Sequence, residues 1–156
     1  MSKSICLVGG SPDMLINFRR ELIRSLVALG YKVYCFAYNL NDVQRQELAD
    51  MGAIPCDSHL NPKGLNPVLD FFATFRLYMD IFKIKPECIF SFFVKPVIFS
   101  SYISLFLPSA RSVGMLEGLG NSFVDEGLRP GVTKAGLVKT LQIFLYKLSL
   151  RFHDAI

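Results

Sequence analysis

The sequence predicts an α/β domain of the doubly wound class, a parallel sheet covered by helices on both faces in three layers. Short apolar runs that end at turn residues mark buried strands, and segments with apolar positions three and four residues apart mark helices. The two kinds alternate along the whole chain. At 156 residues the chain fits one domain, and area scaling has a domain of that size bury about 68–70% of the surface its unfolded form exposes. A core on both sides of a sheet is therefore within reach.

The first run, ICLVG (5–9), is continuously apolar and closes on glycines, as a buried parallel strand does. Between Asp13 and Leu29 the positions Leu15, Phe18, Leu22, Leu26 and Leu29 recur at helical spacing, and Gly30 follows where a C-terminal cap belongs, so one helix is expected there. KVYCFAY (32–38) is the second strand. Asn41 caps a helix running through Met51, Gly52 stops it, and AIPC (53–56) is a short third strand. DSHLNPKGLNP reads as a loop, after which Pro67 opens a long helix to about Ile84. CIFSFF (88–93) is the fourth strand, a helix follows from about Pro96 to Leu107, and SVGML (112–116) is the fifth strand. A basic helix from Thr133 to Phe152 closes the order. DAI (154–156) resembles the opening of a sixth strand, so the chain is expected to continue into a second domain.

Hydrophobic residues make up 51% of the chain and charged ones 19%, below the usual charged share of about 25%, so some apolar surface is expected to meet a partner or a membrane. The longest apolar runs, such as VIFSSYISLFL (97–107), fall well short of the roughly 20 residues that span a bilayer, and the N-terminus lacks the tripartite pattern of an export signal. Cys6, Cys35, Cys56 and Cys88 stand singly, which fits a reduced, cytoplasmic chain. The net charge of +4 is uneven: Arg129, Lys134, Lys139, Lys147 and Arg151 fall in a stretch without a single acid. That stretch is either a solvated helix face or a contact for anionic phosphates. Nucleic acid is not expected, because no recognised motif accompanies the charge.

Candidate site residues lie where the strands end, since open parallel sheets bind ligands beyond their carboxyl ends. After the first strand, Gly9 and Gly10 permit close backbone approach and Ser11 precedes a helix N-terminus suited to an anion. GGSPDM is not G-x-G-x-x-G, so the dinucleotide fingerprint is missing. Lys95 is either a solvated loop charge or a donor aimed into the cleft. Glu117 should project from the rim after the fifth strand, where Gly118 and Gly120 turn the chain and Asn121 adds a neutral donor and acceptor. A carboxylate held in that way suits vicinal hydroxyls, although a turn acid with no ligand has the same appearance. His59 and His153 are isolated, so no metal site, no histidine base and no cofactor is expected. No serine elbow or Cys-His pairing is present either.

Four segments taken together carry a resemblance: NFRRELIRSLVALGYKVYCFA (17–37), GLNP (64–67), KPVIFSS (95–101) and EGLGNSF (117–123). In that order and spacing they resemble the N-terminal half of family 4 glycosyltransferases of the GT-B fold, in the bacterial group that builds polysaccharides and lipopolysaccharide on lipid carriers. The resemblance implies a retaining transferase of two Rossmann-like domains, with residues 1–156 as the acceptor domain and the donor domain absent from this sequence. It further implies a nucleotide-sugar donor, a polyprenyl-diphosphate-linked sugar acceptor, and a peripheral place at the anionic inner face of the cytoplasmic membrane. By matching position it would set Gly9, Gly10 and Ser11 near the donor diphosphate. Lys95 would stand at the cleft wall, and Glu117, Gly118 and Gly120 on the acceptor side. Many relatives have threonine where Glu117 stands, and some carry a histidine where this chain has Val94. No catalytic residue is assigned. The alternative is a non-catalytic sugar- or nucleotide-binding module of the same fold; an epimerase or dehydrogenase is disfavoured by the missing fingerprint.

Overall fold

A computed structural model describes residues 3–62 and 66–117. Five strands pair in parallel: β1 (Ser4–Val8), β2 (Lys32–Ala37), β3 (Ile54–Asp57), β4 (Cys88–Phe92) and β5 (Arg111–Met115). Their spatial order is β3-β2-β1-β4-β5, connected through helices α1 (Pro12–Phe18), α2 (Arg20–Ala28), α3 (Asp42–Asp50), α4 (Pro67–Ile84) and α5 (Val94–Leu105). The expected doubly wound α/β fold is present. Chain order runs outward from β1 in one direction and resumes from β4 in the other, which places the topological switch point between these two strands.

The sequence dictates two cores because the strands are apolar on both sides. Alternation sends Leu7 to the face where Leu15, Ile23, Val33 and Leu48 gather under α1, α2 and α3. It sends Cys6 and Val8 to the opposite face, with Phe36, Leu77, Ile81, Ile89 and Ile103 under α4 and α5. Local signals set the helix ends as expected. The Asn41 side chain accepts from the Gln44 N–H at 2.9 Å while the Gln44 side chain accepts from the Asn41 N–H at 3.2 Å, closing a capping box. Asn66 accepts from Val68 and Leu69 at the start of α4, and Gly30 and Gly52 take φ of +85° and +84° beyond α2 and α3.

Two expectations are corrected. The first helix is two helices, α1 and α2, broken at Arg19, whose φ of −119° and ψ of 9° leave the helical range. The Arg19 Nη1 donates to the Phe18 carbonyl at 2.9 Å, satisfying an acceptor that the break exposes. In consequence the buried stripe runs through Leu15, Ile16 and Ile23, whereas Phe18 and Leu29, expected inside, are exposed. The fifth helix starts at Val94, two residues before Pro96, since a proline in the first turn lacks only an N–H that has no helical partner anyway. The expected basic helix (133–152), the sixth strand and the sites at Gly118, Gly120 and Asn121 lie outside the described residues.

Candidate functional site

The turns after β1 and β4 lie side by side at the switch point. The Gly9 N–H donates to the Phe36 carbonyl at 2.9 Å, continuing the β1–β2 ladder by one residue. A Cβ on Gly9 would stand 3.0 Å from Leu15 Cγ, so only glycine lets the turn lie this close to α1. At Gly10 a Cβ would meet Pro62 at 3.4 Å and the Phe93 ring at 4.0 Å, which places Gly10 beside the end of β4. Ser11 is the N-cap of α1 by position, yet its side chain makes no capping hydrogen bond. In the β4 turn Phe93 holds φ of +71° and ψ of 160°, a conformation costly for a residue with a Cβ; such strain concentrates at functional turns.

Glu117 faces Arg19. It stands just past β5, exposed along its backbone, and its carboxylate forms an ion pair with the Arg19 Nη2. The guanidinium lies over the Phe92 ring, 4.7 Å from the centroid, and Nη2 also donates to Met115 Sδ at 3.6 Å. Both side chains of the pair are largely covered, at 16% and 22% exposure. Burial lowers the Arg19 pKa from its ordinary value, and its Nε is buried without a partner among the described residues. The break between α1 and α2 therefore delivers a desolvated cation to the carboxyl ends of β4 and β5, fixed there by an aromatic ring and a rim carboxylate.

Lys95 occupies the second position of α5, and its Nζ pairs with Asp70 Oδ1 of α4 at 2.7 Å and donates to the Asn61 carbonyl at 2.6 Å. Its charge thus joins α5, α4 and the loop after β3. The structure brings Gly10 and the β4 turn together and pairs Glu117 with a cation; Arg19, Asp70 and Asn61 escaped the sequence reading. For Arg19 a signal existed, because Leu15, Ile16 and Ile23 flank it at helical spacing and place an arginine on the core-facing stripe. Asp70 and Asn61 left no comparable trace.

Burial pushes the Cys35 thiol up to about 12 and the Cys56 thiol up to about 11, and raises Cys6 further. All three stay protonated near neutral pH, which makes them poor nucleophiles. No group of three or more His, Cys, Asp or Glu side chains is arranged to hold a metal ion among the described residues.

No family model matches the chain, and no curated protein matches it by sequence. Solved structures that share the fold include the following three. A glycosyltransferase from Rickettsia africae aligns at a TM-score of 0.54 and 15% identity, over 72% of this chain and 28% of its own. A Listeria monocytogenes protein described as a candidate UDP-N-acetylglucosamine 2-epimerase aligns at 0.56 and 12%, over 98% of this chain and 38% of its own. The dTDP-glucose 4,6-dehydratase of Bacillus anthracis, solved with NAD, aligns at 0.52 and 12%, over 96% and 52%. The chain thus spans between about a quarter and a half of the length of these proteins. At such identities the likeness establishes a Rossmann-like α/β fold shared with a glycosyltransferase.

Proposed function

We propose that this chain is the acceptor-side half of a glycosyltransferase that moves a sugar from a nucleotide-sugar donor to a saccharide acceptor. The observation that supports the reading is the carboxyl edge of the sheet, where a glycine turn after β1 stands beside the β4 turn and a rim carboxylate past β5 is paired with a largely covered arginine. Each part suits one task of the reaction. The bond between the anomeric carbon and the diphosphate breaks, the nucleoside diphosphate leaves with the electron pair, and an acceptor hydroxyl forms the new bond and gives up its proton. Backbone amides at Gly9, Gly10 and Ser11 would offset part of the charge on the departing diphosphate. Glu117, oriented by Arg19, would accept hydrogen bonds from acceptor hydroxyls and hold one in line. Retention of configuration, membership of family 4, a lipid-linked acceptor, a cytoplasmic place and a role in surface polysaccharide synthesis are finer parts of the same proposal. The names of the fold neighbours support its substrate class, since one is named a glycosyltransferase and two are named for nucleotide-sugar chemistry.

The 2-epimerase neighbour covers nearly the whole chain, so epimerisation of a nucleotide sugar is the competing reading. One experiment separates them. The protein expressed from its complete reading frame is incubated with UDP- and dTDP-sugars, with and without a saccharide acceptor, and the products are read by NMR. Acceptor-dependent release of nucleoside diphosphate with a new glycosidic linkage is expected. Epimerised nucleotide sugar formed without acceptor would contradict the proposal, and saturable binding without turnover would favour the non-catalytic module.

A further inference from the structure

A groove of about 350 Å³ opens where the turns after β2 and β3 meet the first half of α4. Tyr38, His59, Asn61, Asp70, Phe72 and Arg76 line it. The turn after β3 is anchored. The Ser58 N–H donates to the Ala37 carbonyl at 3.0 Å, extending the β2–β3 ladder, and the Leu60 N–H donates to Ser58 Oγ at 3.4 Å. Ser58 and Leu60 are buried, so His59 is presented between two fixed neighbours, at a φ of +54° that a residue with a Cβ adopts at a cost. His59 and Arg76 also line a second compartment of about 370 Å³ further along α4, which takes in Asp57, Asp80 and Lys83.

Which carboxylates are already engaged decides the charge that the groove offers a ligand. Asp70 pairs with Lys95 at 2.7 Å, Asp57 with Arg45, and Asp80, one turn on from Arg76, with Lys83 at 3.5 Å. Arg76 and His59 have no ion-pair or hydrogen-bond partner among the described residues. A guanidinium and an imidazole are therefore uncommitted in a groove that Tyr38 and Phe72 also line.

We infer that this groove binds one acidic sugar ring, a uronic acid unit of the saccharide acceptor, with its carboxylate on Arg76. A guanidinium takes a carboxylate through two parallel N–H donors, and an aromatic ring offers an apolar face to the C–H side of a sugar. The imidazole serves ring hydroxyls as donor or acceptor. The volume lies at the small end of the range of about 300–1,000 Å³ for ligand sites, which suits a single ring and not a whole nucleotide sugar. That the ligand is a saccharide rests on the transferase reading; its acidity and size rest on the groove alone. Three strand spacings, roughly 14 Å, separate the end of β2 from the end of β5, so the ring bound here is not the one whose hydroxyl reacts at Glu117.

The complete protein is titrated with the methyl glycosides of glucuronic acid, galacturonic acid and glucose, and binding is read by saturation-transfer NMR. One of the two uronides is expected to bind roughly tenfold or more tightly than the glucoside, the scale of a charge-assisted bidentate contact. Arg76→Gln should erase that preference by weakening the uronide alone, and Phe72→Ser should weaken uronide and glucoside alike. Arg24→Gln, exposed on α2 across the sheet, should change neither. All three variants should melt as the parent does, since the side chains replaced are exposed. Equal affinity for uronides and glucoside would overturn the inference, as would an undiminished preference in Arg76→Gln. Displacement of the bound uronide by equimolar inorganic phosphate would assign the groove to simple anions, and displacement by equimolar UDP would assign it to the donor; either overturns it. The two readings fail separately. An Arg76-dependent uronide preference in a protein without transfer activity would keep this inference and defeat the transferase reading, whereas glycosyl transfer with no uronide preference would do the reverse.

Discussion

Arg19→Leu is expected to reduce turnover of the complete protein on the order of a hundredfold, the scale found when one preorganised electrostatic contact is removed from an active site. Leucine removes the guanidinium that lies over Phe92 together with its charge, so Glu117 loses the partner that orients it. The loss should fall mainly on the acceptor's KM and on kcat together, because a freely rotating carboxylate neither binds the hydroxyls nor aligns them. Glu117→Gln should slow turnover to a similar degree but act differently on stability. It leaves a desolvated guanidinium without its counter-charge, at a cost of about 1–3 kcal/mol for a partly covered group. Combining both changes is expected to recover part of that stability, since no unpaired charge remains, while activity stays low. Steady-state kinetics and thermal melts of the two single variants and the double variant check the cycle. Equal activity of Arg19→Leu and the parent at subsaturating acceptor would contradict the role given to the pair.

Phe36→Ala is expected to destabilise the fold by about 3–5 kcal/mol, a large share of a small domain's total stability. Phe36 is 1% exposed on β2, where it fills the core beneath α4 beside Cys6, Val8 and Leu77. Alanine would leave a cavity there that neighbouring strands, held in register with β1 and β3, cannot close. Phe75→Ala removes the same atoms from the outward face of α4 and should change stability by no more than about 0.5 kcal/mol. Urea unfolding of both variants tests the contrast. A similar midpoint for the two would mean that the sheet face is not the core described here.

The fold was legible because the signals that set it are local. An apolar run closing on Gly9, the cap at Asn41, the proline that opens α4, and glycines at positive φ after α2 and α3 each mark an element end without reference to the rest of the chain. The break at Arg19 was not legible, because no proline or glycine marks it and its cause is tertiary: the guanidinium turns onto Phe92, far along the sequence. Glu117 was legible as a rim carboxylate after β5, but its partner was not, since the pair joins the first helical layer to the last described strand. Lys95 illustrates the same limit. Its position at the end of β4 was readable, whereas its engagement by Asp70 depends on how α4 crosses the sheet. The apolar arc of α4 lay in plain view as FFATFRLYMDIF. That the sheet claims only the Ala73, Leu77 and Ile81 side becomes visible once the helix is docked.

Whether the sugar substrates bind at the carboxyl ends of β1 and β4 is tested by amide NMR of this chain titrated with UDP-N-acetylglucosamine and, separately, with a saccharide acceptor, because chemical shifts report even weak occupancy. With the nucleotide sugar the shifts that move are predicted to cluster at Gly9, Gly10, Ser11, Phe93 and Lys95, and with the saccharide at Glu117, where Arg19→Leu should diminish them. Saturating shifts confined to the groove between β3 and α4, around Asp57, His59 and Arg76, would contradict the claim.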